Sequence, residues 1–294
     1  MSVKKANFLL VLVSLAWGSS YLFTKTAVAE LAPFTLIAYR FLLAFFITAL
    51  VFWKKIKKTN KETIVASAVL GLLMAVICIL FGYALRITDA SVAGFLIATS
   101  VIFVPMLVAM YTRQLPSRQV VIGGTITIIG LTLFSINGTF TISEGMILCL
   151  ITAFLYAIHI IMINRVTQKI DSLQVGVYQL FFCGVFSFIG ALMIEPLKLP
   201  VSALGWGSLI MLALVASAFA VIVQAVAQQH TTAVSAGFIF SLEPIFAAIL
   251  AFAFLGERMT LQEWIGAIFI FIGVLAANYV PKKLRDIQQA TNSM

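Results

Sequence analysis

The chain has 294 residues, of which 62% are hydrophobic and only 10% charged, with a net charge of +9. Soluble domains carry about 45–50% apolar and about 25% charged residues, so this composition excludes a soluble globular protein and points to an integral membrane protein. Fourteen of the 19 Lys and Arg fall at 4–5, 54–61, 113–118, 165–169 and 282–285. These are alternate connections plus both ends of the chain, the positive-inside pattern of a membrane protein and not a stripe for nucleic acid.

A helix needs about 20 apolar residues to cross the hydrocarbon. In chain order the runs are 7–28, 33–53, 64–85, 90–111, 119–136, 145–163, 173–194, 203–227, 233–255 and 261–280. The expected fold is all-α and membrane-integral, with ten transmembrane helices. Pro33, Pro116, Gly138, Pro196 and Pro200 mark the connections, and no linker is long enough to carry a soluble domain. The basic start and first run resemble a signal peptide, but 7–28 is about twice the length of such a core, so it is read as a retained helix. With the N-terminus in the cytoplasm, every basic cluster falls on one side and the C-terminus returns there. Glu30, Asp89, Glu144, Glu195 and Glu257 then mark the outer connections.

In the first run Trp17, Ser20, Tyr21 and Thr24 recur at i, i+3, i+4 and i+7, one helix face. A polar-aromatic face in an apolar helix is expected to look into a cavity. Lys25 follows near the outer end, where it either joins that face or snorkels to the headgroups. Arg40 stands beside Tyr39 in the outer third of the second run and must pair or snorkel. Glu30, Asp89 or a solute carboxylate are its partners on this reading, which makes Arg40 a gating residue at the cavity mouth. In the fourth run Phe95 and Thr99 join the expected lining.

The sixth run carries Tyr156 and His159 at i, i+3, with Asn164 beyond. An imidazole titrates near neutral pH and either exchanges protons or bonds a neighbouring helix. The seventh run adds Tyr178 to the lining and Gln179 as a second gating residue. The ninth holds Phe240, Glu243 and Pro244. A carboxylate near the bilayer midplane costs roughly 2.5–3.5 kcal/mol, so something must repay it. Pro244 lacks the N–H that would bond the Phe240 carbonyl. Such breaks survive in membranes only where protein or a wet cavity satisfies the freed groups. Glu243 either binds a cation, takes a proton or caps the broken helix.

Cys78, Cys149 and Cys183 all lie in apolar runs, an odd count that argues against a disulfide framework or a metal cluster. They are read as small core residues. Gly123 and Gly130, like Gly266 and Gly273, stand at i, i+7 and permit close helix approach, with a neighbouring helix or a second subunit in a homodimer. No phosphate-cradling glycine loop, GxSxG or HExxH occurs, so neither a nucleotide cofactor nor a catalytic or metal site is expected, and the chain is not read as an enzyme.

The two halves repeat. Residues 17–45 align without a gap on 156–184, placing Trp17 on Tyr156, Ser20 on His159, Tyr39 on Tyr178 and Arg40 on Gln179. Residues from Thr88 align on those from Thr231, so that Gly94, Phe95, Ile102 and Phe103 recur as Gly237, Phe238, Ile245 and Phe246. Glu243 falls on Ser100 and Pro244 on Val101. Five crossings per half is odd, so the second half must insert upside down. That arrangement is associated with alternating access around a midplane site. The expected units are 1–138, 139–281 and a basic cytoplasmic tail, 282–294.

Residues 242–257, LEPIFAAILAFAFLGE, resemble the signature of the EamA family of the drug/metabolite transporter superfamily, and residues 15–25, LAWGSSYLFTK, resemble its first helix. The resemblance runs from about Asn7 to Tyr279. It implies export of small metabolites, often amino acids or toxic organic compounds, across the bacterial cytoplasmic membrane. In that family the Glu-Pro pair belongs to the pattern whatever the substrate. The aromatic lining by itself suits a small amphipathic solute. Proton coupling through Glu243 or His159 is one energy source and the solute gradient another. Import or exchange by the same fold, or a channel or scaffold without turnover, are the rival readings.

Overall fold

The computed structural model describes residues 1–88, 90–135, 143–255 and 260–278, and these are almost wholly helical. The elements are α1 Val3–Glu30, α2 Pro33–Val51, α3 Trp53–Ile56, α4 Lys61–Ile87, α5 Ala90–Ala98, α6 Ser100–Thr112, α7 Arg118–Ser135, α8 Glu144–Val166 and α9 Ser172–Ile194. They continue with α10 Ala203–Met211, a π-helical segment Leu212–Phe219, α11 Ala220–Gln228, α12 Ala233–Phe240, α13 Glu243–Leu255 and α14 Leu261–Ala277. Asp89, Gly138, Glu257, residues 282–285 and the boundaries expected at 138 and 282 lie outside the described residues.

The chain is a multi-pass membrane protein. Among the described residues, eight helical spans are long and apolar enough to cross a bilayer; the fifth and tenth expected segments correspond to α7 and α14, apolar helices of shorter described length. Local chemistry sets the starts. Asn60, Asp171, Ser202 and Thr232 accept hydrogen bonds from backbone N–H groups three residues on, at 2.8, 2.9, 2.9 and 3.1 Å. Such caps answer donors that the first turn of a helix leaves open. Pro33 opens α2, where its missing N–H removes no helical bond.

One expected break is present, and two other helices depart from the sequence reading. The ninth run breaks at Ser241–Leu242, just ahead of Pro244, and the chain crosses the gap with tighter i to i+3 bonds from Ser241 N–H to Phe238 O and Leu242 N–H to Ile239 O. The fourth run, expected to be continuous, breaks at Thr99, the position equivalent to Leu242. No proline stands there, so the break follows the packing of the two halves and not the local sequence. The eighth run changes to π-helix over Leu212–Phe219, which apolar periodicity does not disclose.

Three pairs of equivalent helices of the two halves meet each other, and they meet antiparallel. The α7–α14 crossing places Gly123 against Ala277 and Gly273, and Gly130 against Ile270 and Gly266. In the α2–α9 pair Gly184 faces Leu42 and Gly190 faces Phe34; in the fourth and ninth runs Gly94 faces Pro244 and Gly237 faces Val104. Antiparallel mates require the rotation relating the halves to lie across the helices, not along them. The glycine faces offered above for a neighbour or a second subunit pack on each other within the chain.

A Cβ at Gly130 would stand 2.6 Å from Ile270 N and 2.7 Å from Gly266 O, backbone atoms that cannot rotate away. Gly130→Ala should therefore lose about 1–3 kcal/mol to overpacking. The expected result is a thermal midpoint several degrees lower in detergent; an unchanged midpoint would contradict the contact.

Acids tie one end of the bundle. Glu30 accepts from Val201 N at 2.8 Å and from Ser202 N and Oγ, at the start of α10. Glu195 accepts from Phe34 N, Thr35 N and Thr35 Oγ1 at 3.2, 2.9 and 3.1 Å, at the start of α2, and from Tyr83 Oη. Carboxylates suit helix N-termini, where backbone donors and the helix dipole converge. The opposite end holds the basic clusters at 4–5, 54–61, 113–118 and 165–169, with the Arg165 guanidinium 3.5 Å over the Tyr111 ring.

Candidate functional site

The site grows from α1. Ser14 Oγ donates to Ile239 O at 3.1 Å, so this helix supports the carbonyls at the end of α12. One turn on, Trp17 Nε1 donates to Ala216 O at 2.9 Å, inside the π-helical segment. Arg40, on α2, donates to the same carbonyl through Nη2 at 3.2 Å and to Ser217 Oγ through Nε at 2.6 Å. A π-helical turn often marks a functional position because its backbone groups are displaced from the regular ladder. Here one such carbonyl anchors both an indole and a guanidinium.

These side chains border a cavity with about 560 Å³ of empty space. Its lining includes Trp17, Ser20 and Tyr21 of α1, Arg40 of α2, Tyr156 of α8 and Glu243 of α13. Arg40 and Glu243 are only 5% and 8% exposed, yet no ion pair joins them. Arg40 has no carboxylate partner among the described residues, and its Nη1 carries no protein hydrogen bond. The Tyr21 phenol lies against the Glu243 carboxyl and closes against Phe81, ring centroids 5.2 Å apart. Beside the cavity, Phe240 stands 5.1 Å from Trp17 and is stacked 6.0 Å from Tyr156, while Trp17 and Tyr156, equivalent positions of the two halves, meet edge-on at 5.9 Å.

Of the expected site residues, the structure thus brings Trp17, Tyr21, Arg40, Tyr156 and Glu243 to one cavity, with Phe240 behind its wall. Arg40 is not at a mouth near Glu30; it sits deep because the π-helical carbonyl offers it partners. Tyr178 is drawn away from the cavity by a 3.1 Å hydrogen bond from its hydroxyl to Ile56 O, beside the basic connection after α3. Tyr39 and Phe95 are half-buried against the core, and Thr99 Oγ1 donates to Leu96 O at the break in the fourth run. His159 is fully buried outside the cavity, and Gln179, expected to gate, is fully buried beside it.

No hydrogen bond closes between His159 and Gln179, and the two nitrogens of the first and both amide atoms of the second are unpartnered. Gln224 of α11 is in the same condition. An unpaired buried polar group costs about 1–3 kcal/mol.

Sequence reasoning missed the α4 wall. Met74, Ile77, Cys78 and Phe81 line the cavity, and Cys78 is thus a cavity thiol and not only a core residue. Nothing in α4 breaks its apolar run, so only its neighbours reveal this face. Ser217 was legible in principle, as a hydroxyl in the middle of an apolar helix.

The family model for the EamA-like transporter family matches residues 4–136 and again 143–279, one match per half. The chain belongs to the EamA-like transporter family. Two relatives from Archaeoglobus fulgidus, each described as an uncharacterized transporter, accompany that match. One is 29% identical over 281 residues, covering 92% of this chain and 96% of the relative; the other is 27% identical over 272 residues, covering 92% and 84%. A solved crystal structure superposes with a TM-score of 0.79 over 96% of this chain and 99% of its own, at 15% identity, a likeness of fold. This EamA-like chain is therefore a membrane transporter whose two repeats coincide with the antiparallel halves.

Proposed function

We propose that the chain is a ten-crossing secondary transporter whose halves insert in opposite senses, with both termini in the cytoplasm. It moves a small amphipathic metabolite of amino-acid type across the cytoplasmic membrane by alternating access, in the direction of export. The observation that carries this reading is the pairing of Arg40 and Glu243 on the walls of one aromatic-lined cavity without contact between them. A cation and an acid held apart in a low-dielectric space match the carboxylate and ammonium of a zwitterion. Trp17, Tyr21, Phe41, Phe81 and Tyr156 supply the apolar contact that its side chain needs.

Counterflow of labelled phenylalanine and threonine in liposomes of known protein orientation tests this. Saturable, trans-stimulated flux is expected; conductance or unsaturable flux would make the protein a channel. Glu243→Gln keeps the shape and removes the charge. A lost charge-assisted bond is worth about 1.5–3 kcal/mol, so flux should fall roughly ten- to a hundred-fold.

Glu243 is also the proposed proton carrier. The ionisable groups around it on this cavity are Tyr21, Arg40, Cys78 and Tyr156. A proton gradient should accelerate the native protein and leave Glu243→Gln at its gradient-free rate. Equal acceleration of both would remove Glu243 from the proton path.

A further inference from the structure

The unpartnered side chains of His159, Gln179 and Gln224 occupy related places in the repeat. His159 is the mate of Ser20 and Gln179 the mate of Arg40. Carrying the Thr88–Thr231 register back through the preceding helices makes Gln224 the mate of Phe81. Ser20, Arg40 and Phe81 all line the cavity. Their three mates are fully buried, on the side of Tyr156 towards the basic end. The halves are thus alike in sequence and unlike in exposure.

The polar stripe continues to that end. Gln228 Nε2 donates to Ile160 O at 3.0 Å, and Asn164 Nδ2 to Gln228 O and Thr231 O at 2.6 and 2.8 Å. Thr231 Oγ1 donates to Asn7 Oδ1 at 2.7 Å, near the start of α1. There the bonds largely close on one another, as a structural network should. In the middle they do not: six donor or acceptor atoms on three side chains have no partner. Buried polar atoms are nearly always paired, so six that are not call for partners beyond this packing: ordered water, a solute or another arrangement of the helices.

We infer that the His159–Gln179–Gln224 cluster between α8, α9 and α11 is the closed, basic-end limb of the solute path, the counterpart of the cavity by the repeat's own symmetry. When the access state reverses, α11 separates from α8 and α9, and these groups bond the passing solute. The π-helical segment directly ahead of α11 supplies the place where that helix changes direction. At Gly176 the α9–α11 contact is smooth, with Ile222 Cα and Ala225 Cβ 3.2 and 3.4 Å from where a Cβ would stand. Charge is absent from the limb, so it passes neutral or zwitterionic solutes with hydrogen-bonding groups and disfavours cations of fixed charge. The assignment rests on the cavity being a solute site.

Two measurements decide it. In membrane vesicles of each orientation, a membrane-impermeant maleimide is applied to Gln224→Cys, and to Gln179→Cys should the first not fold. Labelling at that position is read by peptide mass. It should be at least ten-fold faster from the face bearing Lys54 and Lys55. Labelling from neither face, or faster from the other, overturns the limb. Second, Gln224→Leu replaces the amide with an apolar group of similar size. Phenylalanine counterflow should fall at least ten-fold while the thermal midpoint holds or rises. Native flux with that substitution overturns the limb, and so does a lowered midpoint with native flux, which marks a structural glutamine. Absence of counterflow in the unsubstituted protein would sink the transport reading alone, because the labelling still reports whether the cluster opens.

Discussion

Arg40→Ala should abolish measurable transport and lower the thermal midpoint together. The guanidinium is 5% exposed and holds the π-helical segment through Ser217 Oγ and Ala216 O, from a residue 177 positions away in sequence. Truncation removes two charge-assisted bonds worth about 1.5–3 kcal/mol each and leaves part of the segment without its partner. Among the described residues it also removes the only guanidinium or ammonium on the cavity wall. Flux should fall a hundred-fold or more. Arg40→Lys separates the two roles: it restores charge to the cavity but not the planar fork that reaches both acceptors. We expect it to recover part of the flux while the midpoint remains low. A native midpoint in Arg40→Ala would show that the π-helical turn stands without it.

Gly18→Val is the second large effect, and its origin is steric. A Cβ at this position would lie 2.8 Å from Glu243 O and from Phe246 Cβ, and 3.0 Å from Ala247 N. Two of those three atoms are backbone, so the whole start of α13 must move. Overpacking of this kind costs about 1–3 kcal/mol. It also displaces the backbone that aims Glu243, so flux should drop more than stability alone explains. Removing the Phe246 Cβ with Phe246→Gly should recover part of the midpoint and little of the flux. Full recovery of both would place the effect in the Phe246 side chain and not in the backbone that aims the carboxyl.

Much of the site was readable without coordinates. The i, i+3, i+4 spacing of Trp17, Ser20 and Tyr21 set three residues on one face, and all three border the cavity. Glu243 was conspicuous because an acid in an apolar run needs a reason. Tyr178 was expected in the lining and Gln179 as a gate; the structure bonds the Tyr178 hydroxyl to the Ile56 carbonyl and buries Gln179 beside His159. Sequence equivalence carries position within a half, but not which long-range contact each side chain meets. The break at Thr99 escaped notice because no proline announces it.

Composition, basic connections and register between the halves were determined by the chain alone: a multi-pass membrane transporter made of two related units. Those properties follow from additive preferences, apolar length for lipid and lysine or arginine for one side, which each residue expresses without knowing its neighbours in space. Tertiary structure decided which helices turn their faces to the cavity, that Arg40 bonds a π-helical carbonyl, and that Ser20 and Arg40 border the cavity while their mates His159 and Gln179 are buried. Those outcomes depend on contacts between residues more than a hundred positions apart, where a single displaced carbonyl or a missing Cβ selects the partner.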